Sequence, residues 1–354
     1  MSGFLFKLIR ESAGLTQVQL AEQLGVDVAS VQGWESGRRP LASLRVADLT
    51  RLRFQMLRCG ARPILLPMLT DAIQADLIIG EAVQAGTQLV DPDGHPLGAT
   101  VHQRKLSDMI TWSFTGQAPE SLQDFGTDRI RRGPVPVHPT LSEEKRERFF
   151  DHLAEIAETF TREDATLARR QAIYLLGFDT RTSTADWLRT EHSRALRDAG
   201  RTDDVPSWVA VRSSAVALSH SGDREPLRIL LRHSLEHDRL EQANLNYWAY
   251  WVGEIDQVQV DDDFMNRIDH KGWSGVRPLE QLLELLHPGS VQAELNLHTV
   301  WALLLAQPTL LSNYPHLRSA TAAMVEKLTE DRDLSPQARR ELSDIAYAVR
   351  LAER

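Results

Sequence analysis

Three groups of residues in this chain combine types and spacings that could do chemistry. His233 and His237 stand four apart with Glu236 between them, which on a helix puts both imidazoles on one face, as in a two-histidine metal site. No third ligand can be placed beside them, so a pair of surface histidines is the simpler reading and no metal is expected. Tyr247-Trp248-Ala249-Tyr250-Trp251 is a dense aromatic run. Helical spacing puts Tyr247 and Trp251 on one side with Trp248 near them. These rings either pack between helices, the plainer reading, or line a groove for a peptide or small organic ligand. The third group is Asp27, Val28, Ala29, Ser30, Gln32 and Gly33. The Gln32 amide donates and accepts in one plane, the geometry that pairs bidentately with adenine, and Val28 and Ala29 offer apolar contact of the kind a thymine methyl accepts.

Other chemistries lack their residues. The chain has no phosphate-cradling glycine loop, no Gly-x-Ser-x-Gly elbow and no His-Glu-x-x-His. The acidic run Asp261-Asp262-Asp263 lacks the glycine and terminal glutamate of a calcium loop and reads as a solvated loop. Together with Glu254 and Asp256 it would repel phosphate, which argues against base stacking on the aromatic run. Neither an enzymatic activity nor a cofactor is expected.

The elements that must position the third group are legible between Gln17 and Ser36. Leu20, Ala21 and Leu24 repeat at helical spacing and form the inner face of one helix. Ala21 is small, as a close helix crossing requires. Gly25 stands where a tight turn needs a positive φ. Val26, Val31 and Trp34 then direct a second helix back onto the first. This leaves residues 27–30, 32 and 33 on the outer, early part of that second helix, which a helix-turn-helix places in the major groove.

The stretch from Gly14 to Val26, Gly-Leu-Thr-Gln-Val-Gln-Leu-Ala-Glu-Gln-Leu-Gly-Val, and the stretch from Trp34 to Pro40, Trp-Glu-Ser-Gly-Arg-Arg-Pro, resemble the two halves of the Xre/Cro/C1 family of phage-repressor-like DNA-binding domains. The resemblance covers about residues 4–60 and implies a compact five-helix domain. It implies that Thr16 caps a helix and leaves Gln17 and nearby backbone amides to meet a phosphate. It places Val28, Ala29, Gln32 and Gly33 among base-contacting positions, with Ser30 on the same outer stretch. Gly33 departs from the family, where a longer polar residue is usual, so base readout is expected to be sparse with more weight on DNA shape. Arg38 and Arg39 match phosphate-binding positions. Arg10 and Glu35 match a structural helix-to-helix ion pair.

Charge agrees with a polyanion at one end only. Residues 1–62 hold nine Lys/Arg against five Asp/Glu, a net of +4, and with −9 for the whole chain the remaining residues carry −13. The single cysteine, Cys59, excludes an intrachain disulfide. Lys7 and Arg10 interrupt any leader-like apolar run, and the Leu/Ile-rich stretch near Ile64–Ile79 is broken by Pro67, Asp71 and Asp76, so no membrane span and a cytoplasmic location are expected.

No period-two alternation stands out, and an all-α chain is expected. The expected domains are 1–62, helix-turn-helix; 63–115, a helical connecting or dimerisation region with a turn at 91–96; 116–141, a proline-rich linker; and 142–354, a helical body. Stripes such as Phe149/Leu153/Ile156/Phe160, Ala168/Ala172/Leu175 and Leu279/Leu282/Leu283/Leu286 mark that body, and Ser335-Pro336 opens its last helix. Its paired blocks near 185–199, 206–219, 225–237 and 242–255 resemble tetratricopeptide-like arrays, although the repeat consensus is absent. The resemblances together imply a sequence-specific transcriptional regulator that binds double-stranded DNA as a homodimer, its body sensing a peptide, small molecule or protein. The alternative is an interaction protein, of antitoxin or regulator-antagonist type, whose array binds a protein partner.

Overall fold

The computed structural model describes residues 1–353 apart from 86–94, 102, 120–121, 123–137, 162–165, 201–203, 234–237, 258, 260–261 and 270–271. The described residues form helices and no strands, as the sequence predicts. None of these helices is long and apolar enough to cross a membrane. The chain divides into two compact units, Met1–Ala172 and Ile173–Arg354.

The first unit opens with α1 (Ser2–Ser12), α2 (Gln17–Leu24), α3 (Val28–Glu35) and α4 (Val46–Arg58). Its organising element is the 21-residue helix α5 (Leu65–Ala85). Pro67 does not interrupt it, because the first helical turn needs no N–H from that residue. Leu65, Leu69, Ala72, Ile73, Ala75 and Ile79 are buried along α5. They meet α1, α6 (Arg104–Thr115) and α7 (Glu143–Thr159). Ser2 ties α1 to α5, its backbone N and Oγ lying 2.8 Å and 2.6 Å from Asp76 Oδ2. The Phe4 ring meets Trp112 of α6 edge-on at 5.5 Å. The segment after residue 62 therefore packs onto the first helix. The stripe Phe149, Leu153, Ile156 and Phe160 belongs to this unit and not to the body that follows. The turn at 91–96 lies mostly, and the linker at 116–141 largely, outside the described residues.

Helix α8 (Thr166–Leu176) runs across the division. The second unit continues with α9 (Thr182–Ala199), α10 (Val205–His220), α11 (Glu225–His233), α12 (Asp238–Trp251), α13 (Phe264–Arg267), α14 (Val276–Leu285), α15 (Ala293–Ala306), α16 (Leu310–Asn313), α17 (Pro315–Thr329) and α18 (Pro336–Leu351). One apolar core gathers Trp208, Val211, Leu230, Phe264 and neighbours from α9–α13. A second joins Trp248, Leu279, Leu282, Leu297, Leu303 and Ile345 from α12–α18. Polar pins sit between helices: Asn246 Nδ2 donates to Met265 O at 2.8 Å and its Oδ1 accepts from Trp273 Nε1 at 3.0 Å. Ser335 caps α18, accepting from Ala338 N at 3.2 Å, with Pro336 in the first turn.

Candidate nucleic-acid interface

Local chemistry builds the helix pair. Thr16 Oγ1 accepts from Gln19 N at 3.2 Å, and Gln19 Oε1 accepts from Thr16 N at 2.9 Å, a reciprocal cap for α2. Gly25 ends α2 in the left-handed region at φ 66°, a conformation with little cost only for glycine. Leu20, Ala21 and Val31 are buried where α2 and α3 cross, while Leu24 is half-buried. Trp34 meets Phe6 of α1 edge-on at 5.8 Å.

A buried charge fixes the far end of the pair. Arg10 of α1 donates to both Glu35 carboxylate oxygens, at 2.5 Å from Nε and 3.2 Å from Nη2. Its Nη1 donates to Leu15 O at 2.6 Å. Glu35 Oε2 also accepts from Gln17 Nε2 at 2.7 Å. Gln32 Nε2 stands 3.5 Å from Gln17 Oε1. One chain of contacts thus runs from Arg10 through Glu35 and Gln17 to Gln32. Arg10 of α1 and Glu35 of α3 form an ion pair between the two helices. The Gln17 side-chain amide is spent inside the domain, so the expectation of a phosphate contact narrows to its backbone N–H at the start of α2.

The outer stretch divides in two. Ala29 and Gln32 are exposed, and Val28 and Ser30 are half-buried. Gly33, expected on the open base-contacting face, is buried. The reason is Arg39. Its backbone N donates to Gly33 O at 3.0 Å, and its side chain turns back across α3. A Cβ at Gly33 would lie 3.0 Å from Arg39 Cδ and 3.1 Å from Cγ. The Arg39 guanidinium Nη1 then donates to Ser30 Oγ at 2.9 Å. Arg38, its exposed neighbour, donates only locally, from Nε to Ser36 Oγ at 3.2 Å. Sequence reasoning grouped the two arginines, whereas the structure separates them. A missing side chain at 33 followed by an arginine six residues later was the available signal.

The other candidate groups fare differently. Glu236 and His237 lie outside the described residues, as does Asp261. No cluster of three metal-ligating side chains occurs among the described residues. Trp248 is 5% exposed and sits in the interior of the second unit, which corrects its place in a groove wall to core packing. Its indole is drawn inward because it shares that stretch of α12 with buried Leu245 and Ala249. Tyr247 and Trp251 are half-buried at the edge of the same core, their rings stacked at 5.9 Å.

Residues 6–50 match the family model described as Helix-turn-helix. They form a helix-turn-helix domain of the Xre/Cro/C1 type, a DNA-binding fold. No curated protein and no solved structure matches the chain.

Proposed function

We propose that the chain is a sequence-specific transcriptional regulator that binds double-stranded DNA as a homodimer through the outer face of α3. The observation that carries this reading is the exposed Ala29–Gln32 surface, held rigidly by the buried Arg10–Glu35 pair and the glutamine bridge behind it. A preorganised surface of this kind suits base-edge recognition in the major groove. Gln32 reads an adenine, Val28 and Ala29 meet a thymine methyl, and Arg38 and the α2 N-terminus at Gln17 hold phosphates. A single domain of this size contacts few base pairs, so two copies reading half-sites about 34 Å apart provide the selectivity. We assign the second unit to signal reception, with the half-buried Tyr247 and Trp251 edge as the contact for a peptide or small organic ligand.

Genome-wide footprinting of the intact protein, with light scattering of the protein–DNA complex, tests the reading. A palindromic footprint bound by a dimer supports it. Binding without preference among sequences, by a monomer, overturns it. Co-purification of a stoichiometric protein partner with no footprint favours the partner-binding alternative.

A further inference from the structure

Arg39 is displaced from the role its position in the turn implies. Successive helical residues turn by about 100°, so Val28 and Gln32 share one stripe of α3, Ala29 and Gly33 lie beside it, and Ser30 follows. Gly33 leaves a gap in that surface, and the Arg39 methylenes fill it, with Cβ, Cγ and Cδ all within 3.3 Å of the place a Gly33 Cβ would take. The backbone bond to Gly33 O and the guanidinium bond to Ser30 Oγ anchor the side chain at both ends. Ser30 engages one N–H of the five a guanidinium offers, and Arg39 is exposed. The result is a planar, always-charged fork held against the outer surface of the recognition helix. A phosphate contact needs only a charge near the backbone, whereas this arrangement holds the fork at Ser30, on the outer surface of α3.

We propose that Arg39 is a specificity-determining residue that reads a guanine in the major groove, supplying from the following turn the base contact that Gly33 cannot make. The bond to Ser30 orients the guanidinium, and the remaining N–H groups pair bidentately with guanine O6 and N7. Ser30 and Gly33 are its positioning residues. This inference rests on the DNA-binding reading of the previous subsection.

The experiment is selection of sites from a randomised duplex library by the full-length protein, followed by binding titrations against salt. The wild-type chain is expected to select a motif containing a guanine. Arg39→Ala is expected to lose preference at that guanine by about 10- to 100-fold while keeping preference at other positions. Arg39→Lys keeps the charge and the salt slope and loses part of the guanine preference, because an ammonium can still donate to O6 and N7 but not as a plane oriented by Ser30. Gly33→Ala crowds the Arg39 methylenes and shifts the side chain, so it is expected to reduce preference at the same base with no charge removed. Arg39 is exposed, so its replacement leaves the core untouched even if Gly33→Ala does not fold. Uniform weakening of all sequences by Arg39→Ala, with the salt slope lowered by about 1 and restored in Arg39→Lys, would make Arg39 a phosphate contact and overturn the assignment. A wild-type motif unchanged in both Arg39 variants also overturns it while leaving the regulator reading intact. A wild-type protein that selects no motif overturns both.

Discussion

The side-chain amide of Gln17 donates to Glu35 Oε2 at 2.7 Å, joining the first residue of α2 to the last residue of α3. The same carboxylate neutralises Arg10 of α1. Three helices are therefore joined through one buried carboxylate.

Removing that carboxylate should unfold the domain before it changes recognition. Glu35→Ala leaves the Arg10 cation buried without its partner and is expected to cost about 3–5 kcal/mol. The double change Arg10→Met with Glu35→Leu should recover most of the loss, because neither charge is then buried. Urea denaturation of the full chain measures both. A cost below about 1 kcal/mol for Glu35→Ala would show that the pair does not hold the helices together.

Gln32 and Arg38 should separate readout from attachment. Gln32→Ala is expected to relax preference at one adenine by about 1–3 kcal/mol while retaining affinity for unrelated DNA. Arg38→Ala should weaken every sequence alike and lower the salt slope by about 1. Titrations against matched and mismatched duplexes at several salt concentrations decide the matter.

Named histidines should make stability fall at both ends of the pH range. His298 lies between Glu341, 2.8 Å from its Nδ1, and Glu241, 3.6 Å from its Nε2. Burial favours the neutral ring, but the two carboxylates outweigh it and raise its pKa to about 9. The folded state thus holds a proton more tightly than the unfolded chain, so this contribution is complete below pH about 6.5 and lost as pH rises towards about 9. Glu341→Gln should flatten that alkaline loss.

His95 works the other way. Burial, with His152 Nε2 3.1 Å from its own Nε2, lowers its pKa to about 4. The folded state refuses a proton that the unfolded chain accepts, so stability present above pH about 6.5 falls between there and about 4. His220, lowered to about 4 by burial in the second unit, adds a loss of the same sign. His95→Gln should reduce the acid slope without abolishing it. Calorimetry of the full chain from pH 4 to 9 reads both limbs; an acid limb unchanged in His95→Gln would remove His95 from the account.

The aromatic run should divide by burial. Trp248→Ala is expected to destabilise the second unit by about 3–5 kcal/mol, as for a core ring. Trp251→Ala, at the half-buried edge, should cost well under half as much. Equal losses in thermal melts would place both rings in the interior.

The sequence by itself determined the helix pair at residues 17–36, because its signals are local. A cap at Thr16, a positive-φ glycine at 25 and an apolar spacing of three and four act within a few residues of one another. It determined the all-α class for the same reason, and the Arg10–Glu35 pair through family resemblance. Tertiary structure alone decided what depends on residues far apart in the chain. One tie between α5 and α1 joins Asp76 to Ser2, 74 positions away. The inward turn of Trp248 rests on which helices cover α12, since periodicity marks a face but not its neighbour. The exchange of Gly33 for Arg39 on the outer face of α3 depends on the path of the turn after that helix, and composition alone assigns such an arginine to solvent or phosphate. Where the chain returns over its own surface, geometry decides which side chain a partner meets.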